Sequence, residues 1–150
     1  MIKLQNVEKV YKSENGNVTA LNDINLEFES SGMVFVVGRS GSGKTTLLNI
    51  IGSLDHIDNG EVSVTFPNED EYNLSAASEK ELDEYRNLHV GFVFQEYNLL
   101  KDWSIRDNIL LPVRQQYTEG AEQEEEKILE QVLHETDLNI KPERKANELS

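Results

Sequence analysis

The stretch Gly38-Arg39-Ser40-Gly41-Ser42-Gly43-Lys44-Thr45 decides how the rest of the chain is read. It fits the spacing G-x-x-x-x-G-K-[ST], in which a tight turn aims successive backbone N–H groups at one phosphate. Gly38, Gly41 and Gly43 permit such a turn because they lack a Cβ. Lys44 adds a mobile positive charge for the β- and γ-phosphates, and the Thr45 hydroxyl is suited to ligate Mg²⁺. The flanks agree with this reading. Met33 to Val37 is apolar on every residue, as in a strand buried on both faces, and Thr46 to Ile51 has helical patterning. The first amides of that helix would face the same anion. A glycine-rich turn closed by a solvated lysine is the bland alternative, and it needs neither flank.

The 150 residues suit a single domain, and no Pro/Gly/Ser linker divides them. With 28 acidic against 14 basic residues, the formal charge of -14 opposes generic attraction to nucleic acid or anionic lipid. Any nucleotide site must therefore rely on local amides and Lys44. The absence of cysteine excludes disulfides and cysteine-ligated zinc, which fits a reducing compartment. His56, His89 and His134 lack ligand spacing. No signal-like segment or membrane-length apolar run is present, so the expectation is a soluble, cytoplasmic chain.

Ile2 to Tyr11 carries apolar markers at Ile2, Leu4, Val7 and Val10, and Asn15-Gly16-Asn17 supplies a turn before Leu21, Ile24, Leu26 and Phe28. This predicts an antiparallel β opening. After the turn Asp58-Asn59-Gly60, Glu61 to Phe66 reads as an alternating outer strand, followed by a polar loop over Pro67 to Glu71. Ser78-Glu79-Lys80-Glu81 is a capping-box pattern that predicts a helix from Ser78 to about Asn87. Val90 to Phe94 predicts a second buried strand, ending at Gln95. Beyond it, Ser104 is placed to cap a helix carrying Ile105, Ile109, Leu110 and Leu111, which Pro112 should end or kink. A longer helix is expected over about Glu122 to Thr136, with Ile128, Leu129, Val132 and Leu133 inward and Glu124-Glu125-Glu126 as a solvated face.

Read beside the phosphate loop, three further features point to one family: Tyr11 at the end of the first strand, Gly91-Phe92-Val93-Phe94-Gln95, and the closing Leu149-Ser150. Their order and spacing resemble the nucleotide-binding domains of ABC transporters. Leu47-Leu48-Asn49-Ile50-Ile51-Gly52, Leu54-Asp55 and Phe92 to Leu100 look like the branch that serves macrolide export, lipoprotein release and antimicrobial-peptide export. The resemblance implies an α/β fold with a P-loop NTPase core, an N-terminal antiparallel β subdomain and the beginning of a helical subdomain. The division it suggests is 1–95 for the β subdomain and P-loop core, and 96–150 for the helical part. In that family the aromatic at the position of Tyr11 stacks on adenine, the glutamine at Gln95 senses Mg²⁺ and the attacking water, and Leu-Ser opens the signature sequence. The motifs that follow the signature, an Mg²⁺-holding aspartate, a catalytic glutamate and a switch histidine, have no counterpart within residues 1–150. On this reading the chain corresponds to about the first two-thirds of such a domain.

The candidate cofactor-binding residues are therefore Tyr11, Gly38, Arg39, Ser40, Gly41, Ser42, Gly43, Lys44, Thr45 and Thr46. Lys44 and Gln95 are the catalytic candidates, and Thr45 and Gln95 the candidates for Mg²⁺. The resemblance implies ATP and Mg²⁺ as cofactors, and ATP hydrolysis coupled to transport at the cytoplasmic face of the membrane. It implies as partners a membrane permease, separate or fused, and a second ATP-binding domain in a head-to-tail dimer, with no nucleic acid. Tyr97, Leu99, Leu100 and Trp103 are candidates either for permease contact or for the core of the helical subdomain. Glu96 is read as a surface residue rather than a general base. A small-molecule kinase is disfavoured because β structure precedes the loop, and a regulatory nucleotide-binding module because of the exporter-like text.

Overall fold

The opening hairpin is built from β1 (Ile2–Ser13) and β2 (Gly16–Phe28), paired antiparallel from Ser13 opposite Gly16 to Ile2 opposite Phe28. The computed structural model describes residues 1–14, 16–67, 71–116 and 122–149. Asn15 of the expected turn, Asn68 to Asp70 of the expected loop, and Ser150 lie outside these residues. The described chain forms two compact units, Met1–Phe92 and Val93 onward.

In the first unit, β3 (Asn59–Thr65) pairs antiparallel with β1, and the short β4 (Glu71–Asn73) pairs with β3, giving the order β2-β1-β3-β4. The unequal spacing of Leu4 and Val7 has a local cause. Asn6 between them adopts φ 50°, its amide donates to Asn25 Oδ1 at 2.9 Å, and its side chain donates to Asp23 Oδ1 at 2.8 Å. The register shift at this bulge turns both Leu4 and Val7 inward, where they are fully buried. Gly60, at φ 95°, sits against the Asn6 carbonyl so closely that a Cβ would collide with it.

Helix α1 (Lys44–Ile51) buries Leu47 and Ile50 in the core that Leu4, Val7, Leu21, Val62 and Val64 supply. Helix α2 (Glu79–His89) starts at the predicted capping box: Ser78 Oγ accepts from the Glu81 amide at 3.4 Å, and Glu81 Oε2 accepts from the Ser78 amide at 2.7 Å. Its buried face braces the far end of α1. The Tyr85 hydroxyl donates to the Ile51 carbonyl at 2.9 Å, and Arg86 donates to the Ser53 carbonyl at 2.7 Å. These bonds satisfy carbonyls at and just beyond the helix end, and so fix the axis along which α1 points its N-terminus.

Three expectations for this unit are corrected. Glu61 to Phe66 is not an outer strand, because β4 lies beyond β3, and Val62, Ser63 and Val64 are buried in succession rather than alternately. Met33 to Val37 and Val90 to Phe94 are not strands. The ladders of the described residues join β1, β2, β3 and β4, and Met33, Phe35 and Val37 are exposed. Apolar character states what a segment would bury, but a strand exists only where a neighbour pairs its N–H and C=O groups.

The second unit contains α3 (Ile105–Gln116) and α4 (Glu122–Glu135), with Ile105, Leu110, Leu129 and Ala146 buried. Ser104 caps as expected, its Oγ accepting from the Asp107 amide at 3.0 Å. Pro112 does not end α3; it lies inside it. A mid-helix proline forfeits one backbone bond and costs about 3 kcal/mol, but contacts on both sides of it hold the helix together. Arg114 reaches back past the proline to Asp107 at 2.8 Å and across to Glu125 at 3.1 Å, and Leu110 anchors the same turn. The acidic run is accordingly more than a solvated face: Glu125 pairs with Arg114, and Glu126 pairs with Arg106 at 2.8 Å.

Candidate functional site

The stretch read in the sequence as a phosphate loop runs from Gly38 into the first turn of α1. The Ser42 amide donates to the Arg39 carbonyl at 3.2 Å, closing the turn, and the Leu47 amide donates to the Gly43 carbonyl at 2.8 Å, starting the helix. Gly43 is the N-cap at φ 84°, a left-handed conformation that favours glycine. Any Cβ there would also strike the Ala20 carbonyl of β2, so the loop lies directly on the hairpin. Lys44 folds its ammonium over the loop, donating to the carbonyls of Arg39 at 2.7 Å and Gly38 at 3.0 Å.

The two helices of this unit differ at their N-termini. Helix α2 has a side-chain cap and the acidic residues Glu79 and Glu81 in its first turn. Helix α1 has neither a side-chain cap bond nor an acidic residue in its first turn. Its leading amides and the positive end of its dipole are left to an anion from outside the chain. Phosphate fits that arrangement. Among the described residues no group of three or more His, Asp or Glu side chains could hold a metal ion. Thr45 is exposed in the first turn of α1.

Tyr11 lies beside this helix. Its hydroxyl donates to Asp55 Oδ2 at 2.6 Å and stands 3.4 Å from Thr46 Oγ1, while the ring stays 41% exposed. Asp55 follows the end of α1, and its other oxygen accepts from Lys9 at 2.7 Å and from the His56 amide at 2.8 Å. Partial burial works to raise the Asp55 carboxyl, but the hydrogen bonds from Lys9, Tyr11 and the His56 amide outweigh it and hold the group below the ordinary aspartate value.

Gln95 belongs to the second unit, where it is exposed. With Glu96, Tyr97, Asn98 and Leu99 it lines one side of an open groove whose other side includes Lys101, Asn147 and Leu149. The Asn147 amide donates to the Lys101 carbonyl at 3.0 Å and the Ala146 amide to the Trp103 carbonyl at 2.9 Å, so the groove has a stitched wall. Glu96 is exposed, as a surface residue would be. The structure thus brings Tyr11 to Thr46 in the first turn of α1 and places Gln95 in the groove of the other unit.

A family model described as "ABC transporter" matches residues 21–150. The chain belongs to the ABC transporter family. Among its relatives is the bacitracin export ATP-binding protein BceA of Halalkalibacterium halodurans, 37% identical over 113 residues, or 75% of this chain and 43% of the relative. The lipoprotein-releasing system ATP-binding protein LolD of Chromohalobacter salexigens is 35% identical over 152 residues, covering 100% of this chain and 60% of that protein. A solved dimeric structure of MJ0796, described as a bacterial ABC transporter cassette, matches with a TM-score of 0.87 at 36% identity, across 100% of this chain and 63% of that one. A second MJ0796 structure, a dimeric post-hydrolysis state bound to ADP and Pi, matches with a TM-score of 0.85 at 35% identity and the same coverage. This ABC chain therefore spans 43–63% of the length of these relatives. The α/β, P-loop fold expected from the resemblance is the fold of these cassettes.

The residues that sequence reasoning missed in this ABC chain are Asp55 and Lys9. Leu54-Asp55 carried the resemblance, but nothing in the text assigned the carboxylate a partner. Lys9 and Tyr11 share β1, 46 and 44 positions away from Asp55, so only the folded chain brings them to it.

Proposed function

We propose that this chain binds Mg-ATP through Gly38 to Thr46 and serves as the ATP-binding part of an ABC exporter. The observation that carries this reading is the uncapped N-terminus of α1 behind a loop on which Lys44 is already folded. A triphosphate would supply the missing anion, and Lys44 would exchange loop carbonyls for β- and γ-phosphate oxygens. Thr45 would offer one oxygen to Mg²⁺, which takes its other ligands from phosphate and water. Bound Mg²⁺ would neutralise charge on the transferring phosphoryl group. Thr46 would contact the α-phosphate and Tyr11 would stack on the base, while Gln95 would sense Mg²⁺ and the attacking water.

For the whole protein we propose ATP hydrolysis with a second ATP-binding domain, coupled to a membrane permease at the cytoplasmic face. The relatives named for bacitracin export and lipoprotein release support the transport role, and the dimeric cassettes, one of them with ADP and Pi, support the pairing. Among the described residues no helix is long and apolar enough to cross a membrane, which fits a separate or fused permease. Calorimetry with Mg-ATP tests the binding reading. Lys44→Ala is expected to weaken binding by about 1.5–3 kcal/mol through loss of a charge-assisted contact. Equal affinity for the two proteins would sink it.

A further inference from the structure

The Tyr11 ring is more constrained than a half-exposed tyrosine needs to be. Both oxygens of Asp55 are occupied: Oδ2 accepts from the Tyr11 hydroxyl at 2.6 Å, and Oδ1 accepts from Lys9 Nζ at 2.7 Å and from the His56 amide at 2.8 Å. Lys9 donates a second bond to the His56 carbonyl at 2.6 Å. A small hydrogen-bonded cycle through Lys9, Asp55 and His56 therefore holds the carboxylate at a set orientation. Lys9 contributes once more, because its ammonium lies 5.2 Å from the Tyr11 ring centroid, over one face. The hydroxyl end of the ring is tethered and one face is covered by a cation. An incoming base has the opposite face to stack on.

We propose that Asp55, braced by Lys9, is a positioning residue for nucleotide binding: it holds the Tyr11 ring beside Thr46 so that one face is preset to receive the base of a purine nucleoside triphosphate. The inference rests on the reading of Tyr11 as the base-stacking residue. Its physical basis is preorganisation. An untethered tyrosine must lose its rotamer freedom when a base docks, whereas a tethered ring has lost it on folding. Asp55 makes no hydrogen bond to Gly38 to Lys44, so its tether bears on the ring rather than on the loop. A ligand carrying the phosphates without the base meets the tether only through the 3.4 Å contact between the Tyr11 hydroxyl and Thr46.

The test compares Mg-ATP with Mg-tripolyphosphate in displacement titrations against a fluorescent ATP analogue, which rank weak ligands as well as strong ones. Asp55→Asn and Tyr11→Phe are each expected to weaken ATP about three- to tenfold and to weaken tripolyphosphate much less. Tyr11→Phe removes only the hydroxyl and keeps the Asp55–Lys9 pair, so it stands in if Asp55→Asn disturbs folding. The double variant should be little weaker than the weaker single, because both act on the same Tyr11–Asp55 contact. If Tyr11→Ala weakens ATP while Asp55→Asn and Tyr11→Phe do not, the positioning role is wrong and the stacking reading survives. Unchanged ATP affinity in Tyr11→Ala removes the stacking reading and this inference with it. Parallel losses for ATP and tripolyphosphate would reduce Asp55 to a structural support and overturn the proposal.

Discussion

Gly43 is required twice over, by its φ of 84° and by the Ala20 carbonyl that leaves no room for a Cβ. An ordinary Gly→Ala replacement is neutral to stabilising, whereas Gly43→Ala should destabilise by more than about 1 kcal/mol and weaken Mg-ATP binding; a variant with unchanged melting temperature and affinity would contradict the close packing of loop on hairpin. Asp55 makes a prediction of a different kind. Its carboxyl titrates lower in the folded chain than in the unfolded one, so the unfolded state binds the proton more readily. The stabilisation is complete above the ordinary value of 3.8 and is lost as pH falls through the depressed folded value. Asp55→Asn should be less stable than the unsubstituted chain near neutrality, and the gap should close on acidification below that value. A gap independent of pH, followed by thermal unfolding, would show that the ionised carboxylate is not what stabilises.

At the level of elements, α2 matters because it secures the end of α1 opposite the phosphate loop. Ser78→Ala removes one side of the capping box and should cost about 1 kcal/mol, read as a shift in denaturant midpoint. No shift would mean that burial of Leu82 and Tyr85 alone sets the start of the helix. This helix was legible in the sequence because its signals are local: Ser78 and Glu81 lie three residues apart and report on each other. The phosphate loop was legible for the same reason, its glycines, lysine and threonine being consecutive. The misreadings are all non-local. Glu61 to Phe66 reads as an outer strand, but β4 pairs beyond β3, and Pro112, expected to end or kink α3, lies inside it with Leu110 and Arg114 on either side. Met33 to Val37 is apolar enough to be a central strand, but pairing is a property of two segments, and composition describes one. Asp55 escaped notice because its partners come from a strand 44 or more positions away.

For the molecule as a whole, a net charge of -14 and a set of exposed apolar side chains act in opposite directions on association. Repulsion between copies favours separation, whereas exposed Met33, Phe35, Val37 and Val93 favour contact, and salt decides between them by screening only the first. The 150-residue chain should therefore self-associate more as ionic strength rises; sedimentation showing a monomer at every salt concentration would refute this. A second apolar group belongs to the Val93-onward unit, where Tyr97 and Leu99 line the groove. Tyr97 is 90% exposed, and Leu99, Leu100 and Trp103 are each at least 40% exposed, so none of them fills the core of that unit, whose buried residues are Ile105, Leu110, Leu129 and Ala146. Aromatic anchors on a groove rim are the residue types that carry most of an interface's energy. Under the transporter reading, Tyr97→Glu or Trp103→Glu in the intact protein should abolish transport while Mg-ATP affinity and melting temperature stay within error. Loss of affinity and stability together would return both residues to the core and remove the groove as the permease contact, since a side chain that merely meets a partner contributes nothing to the fold of the free chain.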